Sequence, residues 1–201
     1  SSLQEYFFVF SGDGGTLGHS ELYALLETYG NDFSEVFRGN RFALLRAEKL
    51  ENMEKVLDRG AYVLAGCKQL GNTKLDNMHT VHSIDLSGIL KDIETFRIDC
   101  YDLADTGSSV VVEGKLAAII KKNRPKLKVS MKNPDATFVA VIRGDTISFG
   151  YSLAEKAKQK PQAKAAEAAK KGSKAKAAEV AKKKSKPKAA AAAKKKPSVK
   201  T

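Results

Sequence analysis

A change of composition near residue 155 divides the chain into two parts of different chemistry. Residues 1–155 mix apolar, polar and charged side chains as a folded body does, whereas residues 156–201 are dominated by lysine and alanine. The second part holds 17 of the 35 basic residues and two acids, Glu167 and Glu179, so it carries a formal charge of +15. The first part keeps 18 basic and 21 acidic side chains, a charge of −3. A faintly acidic body is therefore joined to a strongly basic tail.

The tail has the composition of a segment that cannot fold by itself. It contains no aromatic residue, and Val180 and Val199 are its larger apolar side chains, so little burial offsets the entropy of ordering. We therefore predict disorder in the free tail and short helical pieces once a polyanion neutralises its lysines. Nucleic acid is the polyanion that such a charge favours, and a solubilising or linking role is the alternative. The tail contacts that we predict are Lys182, Lys183, Lys184, Lys194, Lys195 and Lys196.

Composition also limits the class of protein. No stretch approaches the roughly 18 apolar residues that a membrane span requires, so we expect no membrane partner. The two cysteines, Cys67 and Cys100, lie far apart in or just after strand-like runs, which favours reduced core thiols over a disulfide. We therefore expect an intracellular protein, cytoplasmic, with a nuclear or nucleoid location as the alternative.

The first half of the body predicts a regular series of elements. The run Tyr6 to Phe10 is aromatic and β-branched, which indicates a buried strand. Apolar residues then recur with helical spacing from Leu22 to Tyr29, with Ser20 as the expected N-cap and Gly30 just past the end. The later elements are a hairpin around 38–40, a helix over 50–57 that ends at Gly60, and a strand over 62–65 that ends at Gly66. The order β-α-β-β-α-β predicts a ferredoxin-like fold.

A glycine-rich loop follows the first strand, where a phosphate site could lie. Gly12, Gly14, Gly15 and Gly18 do not have the spacing of a dinucleotide-binding loop, and no lysine-containing phosphate loop occurs in the chain. We therefore interpret the segment as a strand-to-helix turn and expect no cofactor.

The second half of the body predicts another mixed set of helices and strands. Residues 85–90 favour a short helix, and Phe96, Ile98 and Cys100 alternate with polar residues as in a strand with one buried face. The apolar stretch from Val110 to Ile120 predicts a buried helix, although Gly114 is unfavourable within one. A short strand is expected over 128–131, and the strands over 137–142 and 147–151 flank a turn that contains Gly144. The whole body is therefore predicted to be α+β.

Basic residues are concentrated in this second half. Residues 113–145 hold eight basic and three acidic side chains, whereas residues 1–112 hold ten basic and seventeen acidic side chains. A solvated connection would explain the cluster, but its position in the same half of the chain as the tail favours a continuous phosphate-binding track. The body residues that we predict to bind RNA are Lys121, Lys122, Arg124, Lys126, Lys128, Lys132 and Arg143.

Two segments of the sequence resemble a known family. Residues 128–135, Lys-Val-Ser-Met-Lys-Asn-Pro-Asp, followed by Phe-Val-Ala-Val-Ile-Arg-Gly-Asp over 138–145, resemble the C-terminal part of a THUMP domain. The opening run over 6–12, with Glu-Leu-Tyr-Ala-Leu-Leu over 21–26, is similar to the ferredoxin-like domain that precedes THUMP in archaeal tRNA guanosine-10 N2-methyltransferases. The resemblance implies a ferredoxin-like domain over 1–72, a THUMP-like domain over 73–155 and the basic tail over 156–201.

That resemblance implies RNA as the partner. THUMP domains grip the acceptor stem and single-stranded 3′ end of tRNA and present a distant nucleotide to another domain, which fits recognition by a basic groove. The sequence departs from the family after Leu153, where no cofactor-binding loop or Asp-Pro-Pro-Tyr-like motif follows. We therefore expect a non-catalytic tRNA-binding protein that serves as the recognition subunit for an enzyme in trans. A chromatin or nucleoid protein with a histone-like tail, and a fragment or split form of a methyltransferase, remain the alternatives.

The remaining side chains predict no catalytic or metal site. His79 and His82 are three residues apart, but Asp76 and Asp85 form no ligand pattern with them, so surface histidines are favoured over a zinc site. His19 lies beside Ser20 without an orienting acid at any recognisable spacing, which argues against a nucleophile and base pair.

Overall fold

The computed structural model describes residues 2–155, apart from the side chains of Thr80, His82 and Ser83. The tail lysines and the predicted tail disorder lie outside the described residues. Eight strands and four α-helices occur in the described part of the chain. They are β1 Gln4–Phe10, α1 Leu17–Thr28, β2 Ser34–Gly39, β3 Phe42–Ala47, α2 Met53–Arg59, β4 Val63–Lys74, α3 Ser87–Leu90, β5 Thr95–Asp102, α4 Ser109–Asn123, β6 Lys128–Val129, β7 Ala136–Arg143 and β8 Thr146–Ser152.

All of these strands belong to one mixed sheet with the order β2-β3-β1-β4-β8-β7-β5-β6. β5 runs parallel to both β6 and β7, and the other neighbouring pairs are antiparallel. The predicted α+β class is confirmed, and so is the predicted order β-α-β-β-α-β over the first half. β4 continues past residue 72 and pairs with β1 on one side and β8 on the other. The division into domains at that residue stays a prediction.

The sheet builds three apolar cores. On one face of the first half, Phe8 and Phe10 of β1 pack against α1 and α2. On the corresponding face of the second half, Phe96 and Phe138 pack with the buried side of α4. The alternate residues Phe7 and Val9 of β1 form a third core with Val139 and Val141 of β7, to which Phe42 and Cys67 also belong. Residues of β1 and β7, which are not neighbours in the sheet, meet in this third core, so the sheet is curled around it.

The first helix starts earlier than its sequence pattern predicts. α1 begins at Leu17 with Thr16 as its N-cap, so the prediction of Ser20 as the cap was wrong. Glycine at 18 permits the early start, because a Cβ there would lie 2.8 Å from the ring of Phe10. The predicted C-terminal glycine is confirmed: Gly30 has a φ of +79°, and the amide of Asn31 donates to the carbonyl of Leu26.

β4 extends beyond the glycine that was expected to end it. The strand runs from Val63 to Lys74, so the prediction that Gly66 ends it was wrong. A Cβ at Gly66 would lie 2.7 Å from a ring carbon of Phe8 on the neighbouring β1. The glycine therefore admits an aromatic ring over the strand instead of breaking the strand.

Helix α4 is buried along one side only. Val112, Leu116, Ile119 and Ile120 face the core, whereas Val110 is 80% exposed. The predicted helix is confirmed, but only one stripe of it is buried, because a helix on one face of a sheet covers only that stripe of its own surface. Gly114 is tolerated within it and faces open space.

The remaining predicted elements are found close to their expected positions. Both hairpins are confirmed, with turns at 40–41 and 144–145 and with φ of +62° at Gly144. The short helix predicted over 85–90 begins at Ser87, and the short strand over 128–131 ends at Val129. Both cysteines are free thiols, Cys67 buried and Cys100 half-buried. No helix in the described part of the chain is both long and apolar enough to cross a membrane.

Candidate nucleic-acid interface

The basic residues of the second half lie mainly on the segment that joins α4 to β7. We call residues 121–135 the basic connection. Lys121 and Lys122 occupy the last turn of α4 and are exposed. Cations are favourable at that position because the carbonyl groups at a helix C-terminus carry partial negative charge. These two lysines thus stabilise the helix end and also present charge to solvent.

Arg124 fastens the basic connection to the rest of the fold. It ends α4, and its Nη1 donates to the carbonyls of Leu90 and Lys91, the latter at 2.8 Å. One guanidinium nitrogen is thereby used to hold the ends of α3 and α4 together. Arg124 has a structural role in addition to any contact that it makes with a ligand.

Lys126 and Lys128 stand on either side of a buried anchor. Leu127 is 3% exposed, and the amide of Lys128 donates to the carbonyl of Glu94 at 3.0 Å. The two lysines are exposed to solvent while Leu127 enters the core. Together with Arg124 they line a depression of about 670 Å³ at the start of β5.

A carboxylate fixes the turn that carries Lys132. Oδ2 of Asp135 accepts hydrogen bonds from the amides of Glu94 and Thr95 and from the hydroxyl of Thr95, at 2.9, 3.0 and 3.1 Å. The two backbone donors, Glu94 first, lower the pKa of Asp135 below its ordinary value. Asn133 takes a left-handed φ of +47°, and Lys132 is exposed on the same turn. The Asn-Pro-Asp motif therefore has a structural role in shaping the basic connection.

Arg143 lies apart from the other predicted RNA-binding residues. Arg143 is the last residue of β7. Lys128 pairs with Thr95 of β5, near the other end of β7, where Ala136 pairs with the next residue of β5. Seven residues of strand at about 3.3 Å each separate the two ends by roughly 23 Å. The Arg143 guanidinium lies 4.0 Å from the centroid of the Phe42 ring, and burial lowers its pKa. The structure therefore brings the lysines of the basic connection together and leaves Arg143 at the opposite end of the sheet.

The lysines of the basic connection have no acidic partners among the described residues. No ion pair within residues 2–155 includes any of the five, although six other ion pairs occur there. Five uncompensated charges on one segment attract phosphate groups and release counterions when phosphates bind. The five are Lys121, Lys122, Lys126, Lys128 and Lys132.

The other candidate sites have structural explanations. Nε2 of His19 lies 3.0 Å from the carbonyl of Phe42, and the ring packs on Phe10, so this buried histidine belongs to the core. In the glycine-rich turn, a Cβ at Gly14 would lie 2.5 Å from the ring of Tyr62, so packing against an aromatic ring requires glycine there. Within residues 2–155, no three His, Cys, Asp or Glu side chains are gathered as a metal site would need.

One surface was not anticipated from the sequence. A groove of about 570 Å³ lies between α4 and the open edge of β5, and exposed apolar side chains line it. The sequence feature that could have indicated this groove is the pair of apolar residues at the start of α4, Val110 and Val111, which lie outside the buried stripe of that helix.

Comparison with known proteins shows the fold. No family model matches the sequence, and no curated protein matches it either. Among solved structures, TrmN from Thermus thermophilus is similar with a TM-score of 0.54 at 14% identity, over 76% of this chain and 46% of that one. PH1313 from Pyrococcus horikoshii gives a TM-score of 0.53 at 14% identity, over 77% of this chain and 56% of that one.

A third solved structure extends the comparison. It is a predicted N6-adenine-specific DNA methylase from Listeria monocytogenes, with a TM-score of 0.53 at 10% identity, over 75% of this chain and 40% of that one. This chain thus spans about half the length of the structures that it matches. The α+β fold with its mixed eight-stranded sheet is the feature that this chain shares with these structures.

Proposed function

We propose that this chain binds RNA, that its ligand is tRNA, and that it catalyses no reaction by itself. The observation that carries the proposal is the basic connection, with five exposed lysines that no carboxylate within residues 2–155 neutralises. Lysines of this kind bind phosphates as point charges and position a nucleic acid without reading its sequence. The THUMP-like fold supports RNA as the particular polyanion.

The finer proposal concerns the part of the tRNA that is bound. The depression is concave and is lined by three basic side chains, Arg124, Lys126 and Lys128, against one carboxylate, Glu94, and a single strand fits such a surface better than a duplex does. We assign the acceptor stem and the 3′ end to this surface, with the tail lysines adding affinity that does not depend on sequence. We further propose that the chain has a recognition role and that a separate chain supplies catalysis.

The test is binding of the full chain to one tRNA with and without its single-stranded 3′ end, at near-physiological salt. We expect the trimmed tRNA to bind more weakly because contacts to unstacked nucleotides are lost. Reversing two charges, Lys126→Glu with Lys128→Glu, should weaken binding of the intact tRNA and lower the salt dependence of its affinity. The same variant should discriminate less between the intact and the trimmed tRNA.

A matched control keeps the total charge change equal. Lys55→Glu with Lys68→Glu alters two exposed lysines of α2 and β4, outside the basic connection. We expect this control to lose far less affinity than the variant in the basic connection. Equal loss in both would mean that only net charge matters. Equal binding of tRNA and duplex DNA by the full chain would overturn the proposal and favour a chromatin or nucleoid protein.

A further inference from the structure

β5 has a sheet edge that its neighbour covers only at one end. β6 pairs with Thr95 and Phe96 and then ends, and no other strand of the described residues pairs with β5 on that side. The carbonyls of Glu94 and Phe96 accept hydrogen bonds from the β6 side. Since every second residue directs its backbone groups to the same side, those of Ile98 and Cys100 point past the end of β6. This edge is a template for one more strand.

The open edge is the floor of an apolar groove. We call this groove the β5 groove. Its walls come from α4, from β6 and from the chain just after β6. Three of the eight large apolar side chains that are exposed in the described part of the chain lie in it: Val110, Val129 and Met131. Ile98, Cys100 and Ala117 complete the same side. A concentrated set of exposed apolar groups along a strand edge is typical of a protein-binding surface.

Cys100 contributes to this groove as an apolar group. Burial is the main cause that raises the pKa of its thiol to about 11, so the thiol stays protonated at neutral pH. A protonated, half-buried thiol packs as a small hydrophobic side chain. The groove wall is therefore apolar beside Ile98 as well as beside α4.

The opposite face of the same edge is acidic. Arg97 is shared between two carboxylates, those of Asp99 at 2.9 Å and Glu155 at 3.2 Å, so this trio keeps one negative charge. On the α4 side of the groove, Glu113 adds a further carboxylate that has no ion-pair partner among the described residues. Phosphate groups are repelled from such a surface, whereas a lysine or arginine is attracted to it.

We propose that the β5 groove binds an extended peptide segment of a partner protein. The segment adds a strand beside β5, with its backbone bonded to Ile98 and Cys100. Apolar side chains at every second position face α4, and a basic side chain between them reaches Asp99. The apolar lining on the α4 side and the carboxylate of Asp99 on the other side together favour a segment in which apolar and basic side chains alternate.

A second copy of the chain fits this edge less well. The uncovered stretch, from Arg97 to Asp102, is about 20 Å long at roughly 3.3 Å per residue, which is short for a stable dimer interface. In a two-fold contact the same acidic face would also meet itself, and like charges would repel. A basic peptide needs only a short stretch of edge, and its positive charge is attracted to the acidic face.

The test uses the full chain and a defined probe. The probe is a capped seven-residue peptide with valine at positions one, three, five and seven, threonine at two and six, and lysine at four. We expect saturable binding by fluorescence anisotropy, with NMR shifts and exchange protection at the amides of Ile98 and Cys100. A peptide with glutamate at position four should bind several-fold more weakly because it meets Asp99. Proline at positions three and six should weaken binding as well, since one of these two positions donates its amide to β5 in either strand direction.

Gly114 offers a variant that fills the groove without disturbing the core. It lines the groove, and a Cβ there would meet nothing within 4 Å. Gly114→Tyr also replaces glycine by a better helix former, so α4 should stay folded. We expect it to weaken peptide binding at least about tenfold, equivalent to about 1.4 kcal/mol. Gly88→Tyr, at an exposed glycine of α3 with equally open space, is the matched control and should bind normally.

The outcomes separate this proposal from the RNA-binding proposal. Gly114→Tyr should leave tRNA affinity unchanged, because Gly114 lies on α4 outside the basic connection and the substitution changes none of the five lysines. The peptide proposal is overturned if Gly114→Tyr binds the peptide as well as the unmodified chain does. It is also overturned if a single-stranded oligoribonucleotide shifts the amides of Ile98 and Cys100, or if sedimentation shows a dimer that Gly114→Tyr abolishes.

Discussion

The guanidinium of Arg143 lies 4.0 Å from the ring centroid of Phe42. The same group lies 5.0 Å from the ring of Phe37 on the edge strand β2. β7 and β3 are far apart in the order of the sheet, so this contact joins its two halves across the inner core. A cation over an aromatic face that is partly removed from water is worth up to about 2 kcal/mol.

We therefore expect Arg143→Ala to destabilise the fold. The free energy of unfolding should fall by about 1–2 kcal/mol, measured by urea denaturation, because a partly desolvated cation–π contact is lost. Arg59→Ala is the matched control, since Arg59 lies 6.0 Å from the Tyr29 ring and is exposed, so its loss should matter less. If Arg143→Ala kept full stability but bound tRNA more weakly, Arg143 would act on the ligand and not on the fold.

The pH dependence of stability should reveal the role of Asp135. Its hydrogen bonds from Glu94 and Thr95 lower its pKa from the ordinary 3.8. A group whose pKa is lower in the folded state adds stability above the unfolded pKa and loses it as the pH falls through the folded value. Asp135→Asn should therefore be less stable than the unmodified chain at pH 7, and the difference should shrink below about pH 4.

The measurement is urea denaturation of both proteins between pH 7 and pH 2.5. Asp105→Asn is a suitable control, since Asp105 is exposed in the loop after β5. A difference between the Asp135 variant and the unmodified chain that stayed constant over this range would contradict a charged hydrogen-bond acceptor.

Much of the fold could be predicted because local patterns determine it. The first strand, the helix ending at Gly30 and the turn at Gly144 each depend on residues within a few positions of one another, so period and turn chemistry suffice. β4 was predicted too short because Gly66 is unfavourable for a strand when taken alone. The reason that glycine occupies position 66 is the ring of Phe8, which packs over it and lies 58 positions away in the sequence.

The candidate site could be predicted only in part. Lys126, Lys128 and Lys132 are close in sequence and remain close in the structure because one connection carries them. The position of Arg143 depends on the length and direction of β7, and the β5 groove depends on where β6 ends. Strand lengths and neighbours follow from tertiary packing, which a single sequence does not reveal.

Two glycine substitutions should have opposite effects on stability. Gly66→Ala places a Cβ 2.7 Å from a ring carbon of Phe8, which is fully buried and cannot move freely. Overpacking of this kind costs about 1–3 kcal/mol. Gly114→Ala faces open space in α4, and its better helix propensity should add up to about 1 kcal/mol. Thermal or urea denaturation of both variants tests the pair, and a stabilising Gly66→Ala would contradict the contact with Phe8.

Removal of residues 156–201 should separate two kinds of affinity for RNA. The tail supplies 17 lysines and two glutamates, so its loss should weaken binding of any nucleic acid and reduce the slope of log affinity against log salt. Each phosphate contact that is lost lowers that slope by roughly 0.7 for a single strand and 0.9 for a duplex. The basic connection remains in the shortened chain, so the preference for intact over trimmed tRNA should persist. A shortened chain that binds both tRNAs equally, while circular dichroism shows it to be folded, would place the preference in the tail and remove the basic connection from the proposed function.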